Sequence, residues 1–155
     1  MQNNYYDIAY NNLLFLEHTF QTEFYNDISI QCQQVAEKFL KSIIEEIYSS
    51  QDNSIDKLLH SHNLRALFDS IHTLIPDFIL NRGELSMLKD YYYDAKYPGD
   101  NFVTVTREEC KECIKTLYDV VEQVNAFREK NNLSYYKIER KNLNTSSSLK
   151  QLNEF

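Results

Sequence analysis

Residues 28–47 read ISIQCQQVAEKFLKSIIEEI, a stretch that contains neither Gly nor Pro. Apolar side chains recur in it at steps of three and four, at Ile28, Cys32, Val35, Phe39, Ile43 and Ile47. That spacing places them along one side of an α-helix, whereas a half-buried strand would show strict alternation. The stretch therefore predicts a long helix that buries one side, with a polar cap at Asn26 or Asp27.

Four further segments show the same helical spacing, at residues 4–20, 62–74, 79–93 and 107–127. Pro76 prevents the third predicted helix from continuing, since proline cannot supply the helical N–H. Thr106 and Glu109 form a capping-box pattern that opens the last helix. Long helices joined by short links favour an antiparallel up-and-down bundle. We predict an all-α fold of about five helices.

The composition supports this fold class. The chain has 155 residues, 2 Gly and 2 Pro, a length that fits one domain. Sheet-rich folds need many tight turns, which depend on Gly, Pro and Asn. A β-sandwich, a barrel and an α/β fold with a glycine-rich phosphate loop are therefore disfavoured. With 43% hydrophobic and 25% charged residues, the chain also lacks the signature of global disorder.

Charge and cysteine content narrow the functional classes. The net charge of −7 disfavours a general affinity for nucleic-acid backbone, because duplex binders present basic patches. No apolar run approaches the roughly 18 residues that a membrane span requires, and the first residues do not resemble a secretory signal. We expect a cytoplasmic protein that does not enter a membrane, and the 3 Cys to be reduced thiols.

The character of the chain changes near residue 131. Residues 1–130 carry the predicted helices, whereas residues 131–155 are polar and include a Ser-rich stretch at 145–148. We expect a bundle over 1–130 and a C-terminal tail over 131–155 that is flexible or is ordered by a partner.

Two clusters have the spacing of metal or redox sites. Cys110 and Cys113 match half of a zinc or redox motif, but no second pair completes four ligands, so we interpret them as small core residues. His60 and His62 stand at a helix entrance, where a zinc ion would need a third ligand on a rigid element. We therefore predict no metal site, and no motif indicates a cofactor.

A polar group interrupts the second predicted helix. Gln34, Lys38 and Lys41 are four and three residues apart, so their side chains can converge beside the apolar stripe, with Glu37 on the same side. The alternative is a solvated helix flank with intrahelical ion pairs. The sequence leaves both interpretations open.

A second unusual stretch covers residues 91–98, YYYDAKYP. Aromatic rings beside Lys96 could stack on a base and hold a phosphate. The alternative is that these Tyr residues close the rim of the bundle or form an oligomer interface.

Taken together, these stretches resemble the HEPN domain, a helical domain found beside or fused to minimal nucleotidyltransferases in prokaryotes. The likeness rests on QQVAEKFLK at 33–41, HNL at 62–64, YDAKYP at 93–98 and a closing helix after Thr106. It covers about residues 4–130.

The resemblance implies an antiparallel bundle that pairs as a homodimer, binds nucleotides or RNA, and works with a nucleotidyltransferase in a two-component or toxin–antitoxin system. We hypothesise a binding or regulatory module rather than an enzyme. Its polar groups would hold phosphate, an aromatic ring would stack on a base, and a further cation would add charge. The candidate ligand-binding residues are Gln34, Lys38, Lys41, His62, Lys96 and Tyr97.

Many relatives are metal-independent ribonucleases with an Arg-x(4–6)-His motif before the last long helix. This chain departs from that pattern, because Lys96 stands where the Arg is expected and no His follows His72. Arg65 and His72 have the spacing but lie in the third predicted helix, about 10 Å apart along its axis. A ribonuclease toxin using Arg65 and His72 is one alternative function, and a purely structural dimer or antitoxin partner is another.

Overall fold

The computed structural model describes residues 4–48, 53–96 and 104–144. Over these ranges it has six α-helices and no strand: α1 Tyr5–His18, α2 Tyr25–Ile47, α3 Asn53–Leu59, α4 Leu64–Leu74, α5 Arg82–Lys96 and α6 Arg107–Lys130. A 3-10 turn, Thr19–Gln21, extends α1. The all-α bundle predicted from the sequence is confirmed, and none of the described helices is long and apolar enough to cross a membrane.

Helix α2 forms the centre of the bundle and packs against α1, α4, α5 and α6. Its apolar stripe is buried, with Val35, Phe39 and Ile43 at most 1% exposed. Because a helix in this position needs apolar residues on several sides, Ala36, Leu40 and Ile44 are buried as well. The sequence-based stripe therefore described only part of the buried surface of α2.

The two helix caps predicted from the sequence have different outcomes, and a third cap was not predicted. Thr106 and Glu109 form the expected capping box at α6, and the side chain of Asn63 caps α4 by accepting a hydrogen bond from the Ala66 N–H. The predicted cap of α2 at Asn26 or Asp27 is wrong, since α2 begins at Tyr25 without a side-chain cap. Instead, Asn26 accepts a hydrogen bond from the Val105 N–H at 2.7 Å and fastens α2 to the segment before α6.

Helix α3 was not predicted. It is a short helix whose side chain at Ile55 is buried, and the polar residues before it hid its start in the sequence. Helix α4 ends at Leu74, two residues before Pro76, as expected.

Helix α6 ends in a Schellman motif. The Leu133 N–H donates to the Arg128 carbonyl and the Asn132 N–H donates to the Glu129 carbonyl. Asn132 has φ 58°, a left-handed conformation that Asn tolerates better than most residues. The motif redirects the chain so that residues 133–144, which we call the C-terminal strap, run back along α6.

The C-terminal strap lies against its own chain. The Tyr136 ring stacks on Tyr10 with centroids 4.0 Å apart, Leu143 is buried, and Arg140 pairs with Asp119 and Glu122 on α6. The sequence predicted a tail that is flexible or is ordered by a partner. In the part of it that the structure describes, side chains of the strap contact α1 and α6 of the same chain. Residues 145–155 lie outside the described part.

Candidate functional site

One side of α2 carries a concentration of polar and charged residues. An α-helix advances about 100° per residue, so Gln34, Glu37, Lys38, Lys41 and Glu45 fall within a sector of about 100°. We call these five residues the α2 polar face. It contains two carboxylates and two ammonium groups, so its formal charges balance and it is not a basic patch.

Glu37 is the centre of the α2 polar face. Its Oε2 accepts a hydrogen bond from Lys41 Nζ at 3.0 Å, and its Oε1 accepts one from Gln33 Nε2 at 3.2 Å. The side chains of Glu37 and Lys41 are only 9% and 5% exposed. An ion pair this deeply buried recovers little net stability, because both charges lose their hydration. Its consequence is positional, since it holds the Glu37 carboxylate in one orientation.

His62 lies over this carboxylate from the loop before α4. Its Nδ1 is 3.0 Å from Glu37 Oε1, and because a carboxylate accepts hydrogen bonds, the proton is on Nδ1. The His62 carbonyl accepts a second bond from Gln33 Nε2 at 3.2 Å. The imidazole side chain is 60% exposed. A buried anchor thus orients an exposed ring whose Nε2 is the atom left for a further partner.

Lys38 and Gln34 lie at the other border of the α2 polar face. Lys38 Nζ donates to the Asn12 side-chain oxygen on α1 at 2.5 Å, and both Lys38 and Gln34 are half-buried. The three residues expected to converge therefore share one side of α2, but their polar heads have different surroundings. Lys41 is committed to Glu37, while Lys38 reaches a neutral amide.

Helix α1 also closes the far end of this face. The Tyr5 N–H donates to Glu45 Oε2 at 3.3 Å. Burial, together with the neighbouring charge of Glu46, raises the pKa of Glu45 above its ordinary value. Burial and the charges of Glu45 and Glu37 raise the pKa of the Tyr5 hydroxyl. Helix α1 and the loop at His62 thus border the α2 polar face on two sides, and we call the strip of surface between them the furrow.

Two predicted ligand residues cannot be placed against this furrow. Lys96 is the last residue of α5, but its side chain lies outside what the structure describes. Tyr97 and Pro98 lie outside the described residues altogether. Tyr91, from the same Tyr-rich stretch, donates its hydroxyl hydrogen to Glu109 Oε2 at 2.5 Å, so this ring joins α5 to α6.

Arg65 and His72 are both exposed and lie on the same side of α4, two turns apart. His72 Nδ1 is 2.8 Å from the Phe78 carbonyl oxygen, which can only accept, so the neutral ring carries its proton on Nδ1. The ring also stacks on Phe68 with centroids 5.3 Å apart. His72 is therefore an oriented imidazole with Nε2 as its basic atom, while the axial separation of about 10 Å from Arg65 keeps the pair from acting on one atom within a single chain.

The comparison with known protein families agrees with this architecture. The model of the HEPN domain family matches residues 3–129, from the start of α1 to the last turn of α6. The chain belongs to the HEPN domain family. No curated protein and no solved structure matches it. The match begins and ends within one residue of the span indicated by the sequence motifs, and the C-terminal strap lies outside it.

The cysteines of this HEPN domain are core residues, as predicted. Cys32, Cys110 and Cys113 are free thiols that are fully buried. Burial raises the pKa of Cys110 to about 11 and the pKa of Cys113 to about 12, so both are protonated near neutral pH. Among the residues that the structure describes, no group of three or more His, Cys, Asp or Glu is arranged to hold a metal ion.

Sequence reasoning missed several residues of the HEPN domain's polar furrow. Gln33 is fully buried and connects Glu37 to the His62 carbonyl, yet its neighbour Gln34 was the one selected. Asn12 and Tyr5 reach the furrow from α1. The usable signal was the i, i+4, i+8 spacing of Gln33, Glu37 and Lys41, which places three polar side chains in one row.

Proposed function

We propose that this HEPN domain protein is a binding or regulatory module that takes a nucleotide or an RNA segment in the furrow over the α2 polar face. The observation that carries the proposal is the His62 ring, which is exposed yet oriented by the buried Glu37 carboxylate. Family membership supports the same function class. Orientation of a recognition group before the ligand arrives reduces the entropy lost on binding.

The residues take distinct roles in this proposal. His62, carrying a second proton on Nε2, donates that hydrogen to a phosphate oxygen. The Lys38 ammonium contacts another phosphate oxygen and exchanges its neutral partner Asn12 for an anion, a stronger charge-assisted bond. Gln34 supplies a neutral donor and acceptor. Lys41 acts indirectly, because it neutralises and fixes Glu37, which would otherwise repel a phosphate. Lys96 adds charge and Tyr97 stacks on the base.

Two further parts of the proposal concern partners. We propose that the protein forms a homodimer and works with a nucleotidyltransferase protein in a two-component or toxin–antitoxin system. The support is the kinship with HEPN domains. A purely structural dimer or antitoxin partner is the competing interpretation, and it predicts association without any nucleotide-dependent signal.

A specific observation also favours a second candidate, a metal-independent ribonuclease using Arg65 and His72. Because the Phe78 carbonyl fixes the His72 tautomer, Nε2 is available to take the 2′-hydroxyl proton of RNA. The Arg65 guanidinium would stabilise the phosphorane charge. The distance along α4 means that the two residues must come from different subunits of a dimer.

Isothermal titration with ATP and with a short single-stranded RNA tests the first proposal. We expect saturable heat with at least one of them, weakened by Lys38→Gln and by His62→Gln. The control is Lys111→Gln, which removes an exposed lysine from α6, and it should leave the affinity unchanged. Absence of heat with the unmodified protein, or equal losses in the control, would contradict the proposal.

A cleavage assay separates the second candidate. Labelled RNA is incubated with the unmodified protein and with His72→Ala in the presence of a chelator. Cleavage by the former and not by the latter supports the ribonuclease. Equal amounts of cleaved RNA with the two proteins eliminate the ribonuclease. In cells, equal growth of host strains that express the unmodified protein and His72→Ala also eliminates it.

A further inference from the structure

A cavity of about 500 Å³ lies at the end of the bundle where α2, α4 and α6 terminate. Its walls come from Ile47 at the end of α2, from Ile75 and Phe78 after α4, and from Phe127 and Leu133 around the end of α6. The volume falls within the range of ordinary small-molecule sites, which are mostly apolar with a few polar groups. The walls can therefore enclose an aliphatic or aromatic body.

The charged groups of this cavity are predominantly negative. Its lining includes two carboxylates, Glu46 and Asp77, and a single ammonium group, Lys130. The Lys130 ammonium is paired with Asp77, and this contact lowers the pKa of Asp77. Asp77 therefore remains ionised near neutral pH, and its charge is balanced by that of Lys130. The Glu46 carboxylate is then the remaining, unbalanced charge among the residues that line the cavity.

The dipoles of the three helices that end at this cavity also make it more negative. Ile47 is the last residue of α2, Ile75 follows the last residue of α4, and Lys130 is the last residue of α6, and all three line the cavity. The carboxyl end of a helix carries a partial negative charge from its aligned peptide dipoles. Three such ends around one apolar cavity favour a cation and disfavour an anion.

We propose that this cavity is a binding site for a small organic ammonium compound, whose apolar body packs on Ile75, Phe78 and Phe127 and whose charged group faces Glu46. The site lies outside the furrow over the α2 polar face, and the ligand has the opposite charge from a nucleotide. It is therefore independent of the function proposed above. Phosphate-bearing ligands are excluded from it by the same charges that attract the amine.

A set of three matched probes tests the proposal. 2-Phenylethylammonium, 2-phenylethanol and 3-phenylpropionate share an aromatic ring and differ in charge. In a methyl NMR titration of the full chain, we expect the cation to shift the methyl signals of Ile47, Ile75 and Leu133 in a saturable manner. The neutral probe should bind more weakly and the anion should not saturate. Added salt should weaken the cation's binding.

Variants locate the site and its charge. Ala126 is exposed at the cavity wall, so Ala126→Trp should occupy the space and abolish binding, and Ala126→Leu provides a smaller filling if the Trp variant does not fold. Glu46→Gln should weaken the cation's affinity roughly two- to fivefold, the size expected for one partly exposed charge. Glu108→Gln, which removes an exposed carboxylate from the opposite end of α6, is the matched control and should not change it.

Three results would overturn the proposal. They are an anionic probe that binds as tightly as the cationic one, an unchanged affinity in a folded cavity-filling variant, and no saturable shift up to the solubility of the cationic probe. None of these results bears on nucleotide binding, which is measured with other ligands and other variants.

Discussion

The Nδ1 atom of His62 lies 3.0 Å from Oε1 of Glu37, so that an exposed ring from the loop before α4 is anchored to a buried carboxylate of α2. The anchor has a second support, because Gln33 Nε2 donates both to Glu37 Oε1 and to the His62 carbonyl. Lys41 supplies the compensating charge from the other side. The position of His62 therefore depends on three residues of one helix.

Replacing Glu37 should lower the free energy of unfolding substantially. Glu37→Leu leaves the Lys41 ammonium buried without its carboxylate, and breaking one partner of a buried pair costs about 3–5 kcal/mol. Adding Lys41→Met removes the uncompensated charge, so the double variant should recover a large part of that loss. Urea unfolding of the four proteins in this cycle measures both values.

The control for this cycle is Lys111→Met, which removes an exposed lysine of α6 and should change the unfolding free energy by less than about 1 kcal/mol. A double variant that is no more stable than Glu37→Leu alone would show that the Glu37–Lys41 pair does not determine the cost.

The C-terminal strap should contribute to the stability of the bundle. Leu143 is 5% exposed, and Leu→Ala changes at buried positions cost about 2–5 kcal/mol. Because a strap can adjust more easily than a helix, we expect Leu143→Ala to cost about 2 kcal/mol. Thermal unfolding measures this loss as a lower melting temperature. The control is Asn142→Ala, at the exposed neighbouring position, which should leave the melting temperature nearly unchanged. Equal melting temperatures for Leu143→Ala and the unmodified protein would mean that the strap does not bind as described.

The Arg140–Glu122 contact makes the strap's contribution depend on pH. Hydrogen bonding from Arg140 lowers the pKa of Glu122, so the folded state favours the ionised carboxylate. The added stability is therefore fully present above the unfolded-state pKa of Glu122 and is lost as the pH falls through its lower folded-state pKa. Arg140→Met should cost roughly 0.5–1 kcal/mol near neutral pH, since the pair is partly exposed.

The cost of Arg140→Met should shrink as the solution is acidified, because a protonated Glu122 gains little from Arg140 and the unmodified protein then loses its advantage. Chemical unfolding of both proteins across the acidic range checks the trend. A difference that stays constant through the carboxyl titration would contradict the assigned pairing.

The three cysteines should resist alkylation in the folded protein. They are fully buried, and burial raises the pKa of Cys110 to about 11, so the reactive thiolate is scarce near neutral pH. Mass spectrometry after iodoacetamide treatment should find the native protein unmodified and the denatured protein carrying three labels. Rapid native labelling of Cys110 or Cys113 would contradict the packing around α6.

The helices were predictable where the sequence itself contains the signal. The period of α2 and the capping box at Thr106 depend on residues close together in the chain. The strap was not predictable in this way, because Tyr136 is held by Tyr10 of α1 and Arg140 by residues of α6. Asn26 shows the same limit, since a residue suited to cap α2 instead binds Val105, far along the chain.

The candidate site was predictable only in outline. The spacing of Lys38 and Lys41 correctly placed both on one side of α2, and helical geometry also indicated Glu37. The partner that each side chain takes depends on its surroundings. Lys41 is buried and pairs with Glu37, whereas Lys38 donates a hydrogen bond to Asn12 of α1. The fully buried Gln33 could not be recognised, because burial of a polar residue is decided by the packing of other helices.

The most direct test of the central claim is an amide NMR titration of the full chain with ATP and with a short single-stranded RNA. The account predicts saturable shifts at Gln34, Lys38 and His62 with at least one of these ligands, and their loss in His62→Gln. Shifts confined to the Arg65–His72 side of α4, or no saturable shift with either ligand, would contradict it.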